Sequence, residues 1–417
     1  MQRVTLWGKK SSEMRIGGEE AGLDCGDSGR RRLFAMKWLA QLFAYMSLAF
    51  VFMACGTTRA QWEIENSGTT ADLRGIDNVG GGVAWASGTN GTVLRTEDGG
   101  YLWQTCSIPP GAEHLDFRGV QAFDANTAIV MSSGKGDLSR LYKTTDGCQS
   151  WKLVFTNPDK DGFWDAIVAD KGAGLIVGDP VAGRFAIFAS TDTGLEQWDQ
   201  FGELSDFKHF KFEPSPYEGE GLFAASNSNA KGLPASGLAF VTGGPRGAFF
   251  AYGGWSEHGT LGYPTAGFGK ISIPLAKGNS AGAFSFACAG KASSPPHLRC
   301  VAVGGDYMQA DSTDGVSAFS SNPETRWTAS RTSPHGYRSA VAYDADAKAW
   351  ITVGPNGTDI STDDGKNWRA LHPDAALNEA PDADRNWNAL SLPFVVGPHG
   401  RIGKLNAHAL AAAKGSK

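Results

Sequence analysis

Short apolar runs bounded by glycine and polar residues recur along most of the chain, and they predict β-strands rather than helices. Glycine accounts for 55 of the 417 residues, a share typical of many short strands joined by tight turns. Seven apolar runs begin in a similar way, and the following run often ends in glycine. We align Leu73–Ile76, Phe117–Val120, Phe163–Ala166, Gly219–Leu222, Ala283–Phe286, Tyr337–Ala340 and Asn386–Ala389.

An octapeptide of the form Ser/Thr-x-Asp-x-Gly-x-x-Trp recurs near the end of several units. Thr96–Trp103 and Ser361–Trp368 match it fully, Thr144–Trp151 has Cys148 at the glycine position, and Ser190–Trp198 carries one extra residue. The Asp carboxylate can accept hydrogen bonds from backbone N–H groups of its own turn, glycine supplies a positive φ, and Trp covers the sheet edge. We assign this structural role to Asp98, Trp103, Asp146, Trp151, Asp192, Trp198, Asp363 and Trp368; Ser320–Trp327 is a degenerate copy.

Seven units of four strands predict an all-β fold, a seven-bladed β-propeller with these turns in its blades. The last unit, from Trp387 to Asn406, supplies only three strands, and the segment Gln61–Ile64 is expected to provide the fourth. Closing the ring in this way removes exposed sheet edges. We therefore divide the chain into a leader (1–60), a propeller (61–406) and a C-terminal tail (407–417). The fourth unit is long and glycine-rich up to Gly269, which predicts an irregular blade or protruding loop.

The leader has the pattern of an export signal. Three arginines, Arg30 to Arg32, precede an apolar stretch from Leu33 to Ala54, and Met36 is a second possible start. Cleavage after Ala60 by an ordinary signal peptidase, lipoprotein processing at Cys55 and an uncleaved membrane anchor all remain open. All three put the propeller outside the cytoplasm, so we expect a periplasmic or extracellular protein.

Four cysteines follow the leader, an even number that suits an oxidising compartment. Cys288 and Cys300 lie on two β-rich runs and are expected to form a disulfide within one hairpin, and Cys106 with Cys148 is a second candidate pair. No Cys/His cluster indicates a metal site, and no cofactor motif is present. The net charge is −5, with a basic leader. The acidic remainder disfavours nucleic acid as a partner.

The octapeptides resemble the Asp-box, or BNR, repeat, and the pattern from 61 to about 406 resembles the photosystem II stability/assembly factor-like branch of such propellers. Trp62–Gly68, the repeated turns and Val353–Gly357 carry this resemblance. It implies a chaperone-like protein that binds a protein or peptide, with membrane-protein precursors among the candidate partners, through one face of the propeller. Sialidases and sortilin-type receptors share the short motif, so the fold is better supported than the function.

The residue just inside each strand start is expected to recur at one level around the central opening. Arginine and aromatic side chains are common anchors of binding surfaces, so these residues predict a binding ring on a monomeric propeller. Ordinary packing between blades, with each arginine paired to a neighbouring carboxylate such as Asp165, is the alternative interpretation. The residues are Arg74, Arg118, Trp164, Glu220, Phe284, Arg338 and Trp387.

A sialidase-like glycoside hydrolase or lyase acting on an acidic sugar is the second functional hypothesis. Arg74, Arg118 and Arg338 would grip the substrate carboxylate, with Glu220 as general base. The Arg-Ile-Pro signature of sialidases is absent from these positions, and their Asp-box propellers have six blades rather than seven. We therefore expect a binding protein rather than an enzyme, with no catalytic residues.

Overall fold

The computed structural model describes residues 61–170, 172–190, 192–200, 215–233, 237–253, 268–291, 297–375 and 379–406. The predicted leader and C-terminal tail lie outside these ranges, as does most of the glycine-rich stretch of the fourth unit. Within the described residues, no helix has the length and apolar character needed to cross a membrane.

Seven antiparallel four-stranded sheets form the ring, which confirms the predicted seven-bladed all-β propeller. In six of the seven pairs of neighbouring blades the first strands contact one another, and the first strands therefore surround the centre. Blade 1 holds β2 to β5, blade 2 β6 to β9 and blade 3 β10 to β13. Their bounds are Leu73–Gly80, Val83–Gly88, Val93–Thr96 and Gln104–Thr105; Phe117–Ala122, Ala128–Ser132, Arg140–Thr144 and Lys152–Thr156; and Trp164–Asp170, Ala173–Val181, Arg184–Ser190 and Asp199–Gln200.

Blade 4 holds β14 to β17, blade 5 β18 to β21 and blade 6 β22 to β25. Short 3-10 helices lie at Gly136–Leu138 and Tyr307–Gln309. The strand bounds are Ala230–Leu233, Gly237–Thr242, Ala248–Gly253 and Phe268–Ile273; Ala281–Lys291, His297–Asp306, Ser317–Asn322 and Arg326–Ala329; and Ala340–Asp344, Ala349–Gly354, Gly357–Ser361 and Arg369–Leu371.

Blade 7 joins the two ends of the propeller. Its first three strands are β26 (Ala389–Ser391), β27 (Phe394–Val396) and β28 (Ile402–Leu405), and β1 (Trp62–Glu65) is the fourth. Trp62 pairs with Leu405, and Glu65 pairs with Ile402. The predicted closure by the N-terminal strand is therefore confirmed.

The predicted start of the fourth unit is wrong in position. Gly221 makes one bridge to Gly243, but the chain then leaves the sheet, and β14 begins only at Ala230. A Cβ on Gly243 would lie 2.6 Å from both the Cα of Gly282 and the Phe223 ring. The backbone of blade 5 and this ring therefore occupy the space that a side chain at position 243 would need. We call residues 222–229 the channel segment.

The tryptophans of the repeated turns pack between blades. Trp103 is buried with Phe394 and other residues of blade 7, and Trp151 is buried with Trp85 of blade 1. The indole of Trp103 donates to Glu65 Oε2 at 2.7 Å, and that of Trp151 donates to the carbonyl of Ser107 at 2.9 Å. Each ring therefore joins its own blade to the preceding one.

The described residues contain two disulfides. Cys288 and Cys300 face each other across β18 and β19, with Cα atoms 4.1 Å apart. Cys106 follows the last strand of blade 1 and is bonded to Cys148, in the turn that precedes the last strand of blade 2. The first bridge lies within one blade, and the second joins two blades.

Candidate functional site

The two ends of the ring differ in their loops. The upper face, as we name it, carries the starts of the first strands and the turns between second and third strands. Because neighbouring strands are antiparallel, the turns between third and fourth strands lie on the opposite, lower face. The repeated octapeptides form these lower turns, so the upper face holds the proposed binding residues.

The lower turns share one hydrogen-bond pattern. Asp146 Oδ1 accepts from the hydroxyl of Thr144 at 2.8 Å and from the N–H of Ser150 at 3.0 Å. Hydrogen bonds from the Ser150 side chain and backbone hold the pKa of Asp146 at about 2. Asp98 and Asp363 accept the equivalent pair of bonds. In each turn the Asp carboxylate accepts hydrogen bonds from donors of the same turn, so the role of these aspartates is structural.

A β-bulge lies near the start of the first strand in several blades and sets which residue faces the upper centre. The register shifts between Leu73 and Gly75, so Arg74 is the bulged residue of blade 1. Arg118 and Phe284 are the bulged residues of blades 2 and 5. In blade 3 the bulged residue is Asp165, not Trp164.

Three of the aligned residues lie one position earlier than the bulge. Trp164 pairs with Gly178, as Leu73 pairs with Gly88. Arg338 and Trp387 lie at the matching place beside Gly354 and Gly397. The predicted single level of seven residues is therefore wrong, because the alignment set Trp164, Arg338 and Trp387 against Arg74 although they occupy the place of Leu73.

Arg74 and Arg118 are each 29% exposed on the upper face and share one carboxylate. Arg118 Nε donates to Asp116 Oδ2 at 2.8 Å, and its Nη1 donates to the carbonyl of Ala224 at 3.1 Å. Arg74 lies 3.8 Å from Asp116 and 3.9 Å from Asp72, beyond hydrogen-bond distance. The Arg74 guanidinium therefore has N–H groups left to bind a further acceptor.

Arg338 is fully buried and cannot join that pair. Its Nε donates to Asp359 Oδ2 at 2.9 Å, and its Nη1 donates to Asn356 Oδ1 at 2.6 Å. This arginine is a packing residue of blade 6, as the alternative interpretation predicts.

The aromatic members of the predicted ring are also buried. Trp164 stacks on Phe155 with centroids 5.3 Å apart, and Trp387 packs against Trp62 at 5.8 Å. Phe284 stacks on Phe223 of the channel segment at 3.9 Å. These rings stabilise contacts within the propeller.

Glu220 is buried beside the cation of Lys270. Lys270 Nζ lies 2.8 Å from Glu220 Oε2, and the hydroxyl of Thr242 donates to Oε1 at 2.6 Å. The Glu220 side chain is only 2% exposed. It therefore does not reach a substrate bound at Arg74 and Arg118, as the sialidase-like hypothesis requires.

The channel segment crosses the upper end of the central channel. Asn227 exchanges two hydrogen bonds with the backbone of Ile167 in blade 3, at 2.8 and 3.1 Å. Ser226 donates to the carbonyl of Ser339 in blade 6, and Ser228 donates to Ser285 in blade 5. A cavity of about 310 Å³ lies between residues 226–228 and the first strands of five blades.

Comparison with solved structures places this architecture among known propellers. The chain is similar to YCF48 bound to a D1 peptide, with 18% identity and a TM-score of 0.52 over 83% of this chain and 96% of that one. The chain is also similar to YCF48 from Cyanidioschyzon merolae, with 17% identity and a TM-score of 0.51 over 84% of this chain and 100% of that one.

The chain shares the fold of YCF48. The WD40 propeller domain of Doa1 is similar at 9% identity and a TM-score of 0.51, over 84% of this chain and 98% of that one. No protein-family model matches the chain, and no curated protein matches it. The predicted resemblance to assembly-factor propellers is confirmed at the level of the fold.

Asp165, rather than Trp164, is the upper-face residue of blade 3 that corresponds to Arg74 and Arg118. The Asp165 side chain is buried, and burial raises the pKa of its carboxyl well above the usual range. The negative charge of Asp179 raises this pKa further, and the positive charge of Arg118 lowers it. The sequence signal that could have located Asp165 is the apolar residue that precedes each bulge. Aligning Trp164 with Leu73 and Phe117 as that apolar residue would have placed Asp165 beside Arg74 and Arg118.

Proposed function

We propose that this chain is an exported, non-catalytic propeller that binds a protein or peptide partner on its upper face. Arg74 and Arg118 receive a carboxylate of the partner, either an acidic side chain or a chain terminus. The observation that carries the proposal is the Arg74 guanidinium, whose nearest carboxylate oxygens are 3.8 and 3.9 Å away on a partly exposed surface. Arginine recognises carboxylates well because its planar N–H groups match both oxygens.

Two further observations support a binding role. YCF48, which shares the fold, has been solved with a D1 peptide bound. The groups that a sialidase-like mechanism needs are buried here, since Arg338 is paired with Asp359 and Glu220 with Lys270. We extend the proposal to partners that are membrane-protein precursors, as in the assembly-factor branch, and to a monomeric propeller.

Export is supported by the apolar stretch after Arg30–Arg32 and by the two disulfides. Disulfides persist mainly in oxidising compartments. We expect mass spectrometry of the exported protein to find an N-terminus at Gln61. A lipid-modified N-terminus at Cys55 would make the protein a lipoprotein, and a full-length cytoplasmic product would contradict export.

The binding proposal is tested by comparing capture of partners from membrane and periplasmic fractions by the wild type and by the double variant Arg74→Ala/Arg118→Ala. Each lost charge-assisted hydrogen bond is worth about 1.5–3 kcal/mol, so we expect affinity to fall by at least about tenfold. Arg326→Ala, an exposed arginine on the last strand of blade 5, is the matched control and should bind as the wild type does.

A defined probe separates carboxylate recognition from general charge. An acidic peptide should compete for the captured partner, and the same peptide with Gln and a C-terminal amide in place of its carboxylates should not. Unchanged capture by a folded double variant would contradict the assignment of this face. Turnover of a sialic or uronic acid substrate that Glu220→Gln abolishes would favour the enzyme hypothesis instead.

A further inference from the structure

Two histidines that are distant in the sequence lie side by side on the upper face at blade 6. His335 precedes β22 and His372 follows β25, and their ring centroids are 6.0 Å apart. Their side chains are 54% and 71% exposed. Solutes therefore reach both rings, and both lie outside the Arg74 and Arg118 site.

A buried carboxylate lies behind each imidazole. His335 Nδ1 is 2.5 Å from Asp359 Oδ1, and His372 Nδ1 is 3.8 Å from Asp384 Oδ2. An ionised carboxylate only accepts hydrogen bonds, so the Nδ1 of His335 carries the proton in this contact. The lone pair of its Nε2 is then left for another ligand. A carboxylate that orients an imidazole in this way, as Asp359 orients His335, is common beside metal-binding histidines. Asp384 lies 3.8 Å from His372 Nδ1 and makes no such hydrogen bond.

The carboxylates themselves are engaged by arginines. Asp359 is held by Arg338, whose Nε is 2.9 Å away, and Arg385 Nε lies 3.4 Å from Asp384 Oδ1. Asp359 is therefore not available as a strong oxygen ligand, and the Asp384 side chain is only 3% exposed. A pair of imidazoles without free carboxylates suits Zn²⁺, Ni²⁺ or Cu²⁺ and disfavours Mg²⁺ and Ca²⁺, which prefer oxygen ligands.

We propose that His335 and His372 together bind one divalent transition-metal ion through their Nε2 atoms. With metal–nitrogen bonds of about 2.1 Å, two imidazoles that share an ion have ring centroids roughly 5–6 Å apart. The separation here is 6.0 Å, so small rotations of two exposed side chains complete the geometry. Among the described residues, no group of three or more His, Cys, Asp or Glu is placed to hold a metal ion. Water therefore fills the remaining coordination positions.

Titration of the full-length chain with Cu²⁺ tests this site, because Cu²⁺ is bound most tightly of the first-row divalent ions. We expect one ion per chain by calorimetry and two nitrogen ligands by electron paramagnetic resonance. Zn²⁺ should compete with it, and Mg²⁺ should not. His335→Gln and His372→Gln should each weaken binding at least tenfold and remove one nitrogen from the spectrum.

A control variant completes the test. His399→Gln is the control, since His399 is 88% exposed on the same face and lies 3.9 Å from the carboxylate of Asp72. The proposal would be overturned if the His335→Gln or His372→Gln variant bound Cu²⁺ as tightly as the wild type does. A single nitrogen ligand in the wild type, or loss of binding in His399→Gln, would overturn it as well.

Discussion

At the residue scale, Glu65 links β1 to blade 1 and has an unusual protonation equilibrium. Desolvation raises the pKa of Glu65 from 4.5 to about 7, opposed by the hydrogen bond from Trp103 and by Lys404. The folded protein therefore holds this proton more tightly than the unfolded chain does. Its contribution to stability is full below about pH 4.5 and is lost as the pH rises toward 7.

Glu65→Gln should remove this pH dependence, because a Gln side chain can still accept from the Trp103 indole and carries no charge. We expect the variant to melt at a higher temperature than the wild type at pH 8 and to show a smaller difference between pH 5 and pH 8. Glu113→Gln, an exposed change at a carboxylate that does not influence the pKa of Glu65, should leave the wild-type pH dependence of the melting temperature intact. If the melting temperature of Glu65→Gln changed with pH as much as that of the wild type, Glu65 would not be the source of the pH dependence.

The buried and exposed arginines should differ sharply when truncated. Arg338→Ala leaves the buried carboxylate of Asp359 without its cation, a change that typically costs about 3–5 kcal/mol. Arg74→Ala removes only partly exposed ion pairs, which are worth about 0–1 kcal/mol. Urea unfolding of the two variants measures both values, and equal losses would show that Arg74 is also a packing residue.

At the element scale, the Cys106–Cys148 bridge closes a much longer loop than Cys288–Cys300, with sequence separations of 42 and 12. Chain entropy alone predicts about 4 kcal/mol for the longer loop and about 3 kcal/mol for the shorter one. We expect Cys106→Ala/Cys148→Ala to lower the free energy of unfolding more than Cys288→Ala/Cys300→Ala. Denaturant titration decides the order, and the reverse order would indicate strain or residual structure in the unfolded chain.

The elements most visible in the sequence were those with their own local chemistry. The hydrogen bonds that Asp146 accepts in the Thr144–Trp151 turn lie within one octapeptide, so the sequence motif alone predicted this turn. The channel segment has no such local pattern, since Asn227 and Ser228 bond to blades 3 and 5. Only the assembled ring brings those partners together, so no local pattern predicted the crossing.

At the scale of the whole molecule, blade number and closure were predictable because both follow from repetition and from a three-stranded last unit. The upper face was less predictable. Arg338 occupies the packed place that Leu73 has in blade 1, one position before the bulged residue Arg74, which stays at the surface. The pairing of His335 with His372 depends on loops that flank the two ends of blade 6, a proximity that no local pattern encodes.

The pairing of β1 with β28 has a consequence for the order of assembly. Trp62 is made early by the ribosome, and its partner Leu405 is made near the end of synthesis. Blades 1 to 6 each contain only neighbouring stretches of chain, so they can form one after another, but the seventh has to wait. Until then β1 is an unpaired strand able to join the wrong sheet. Removing only β28 should therefore leave six intact blades and a ring that cannot close.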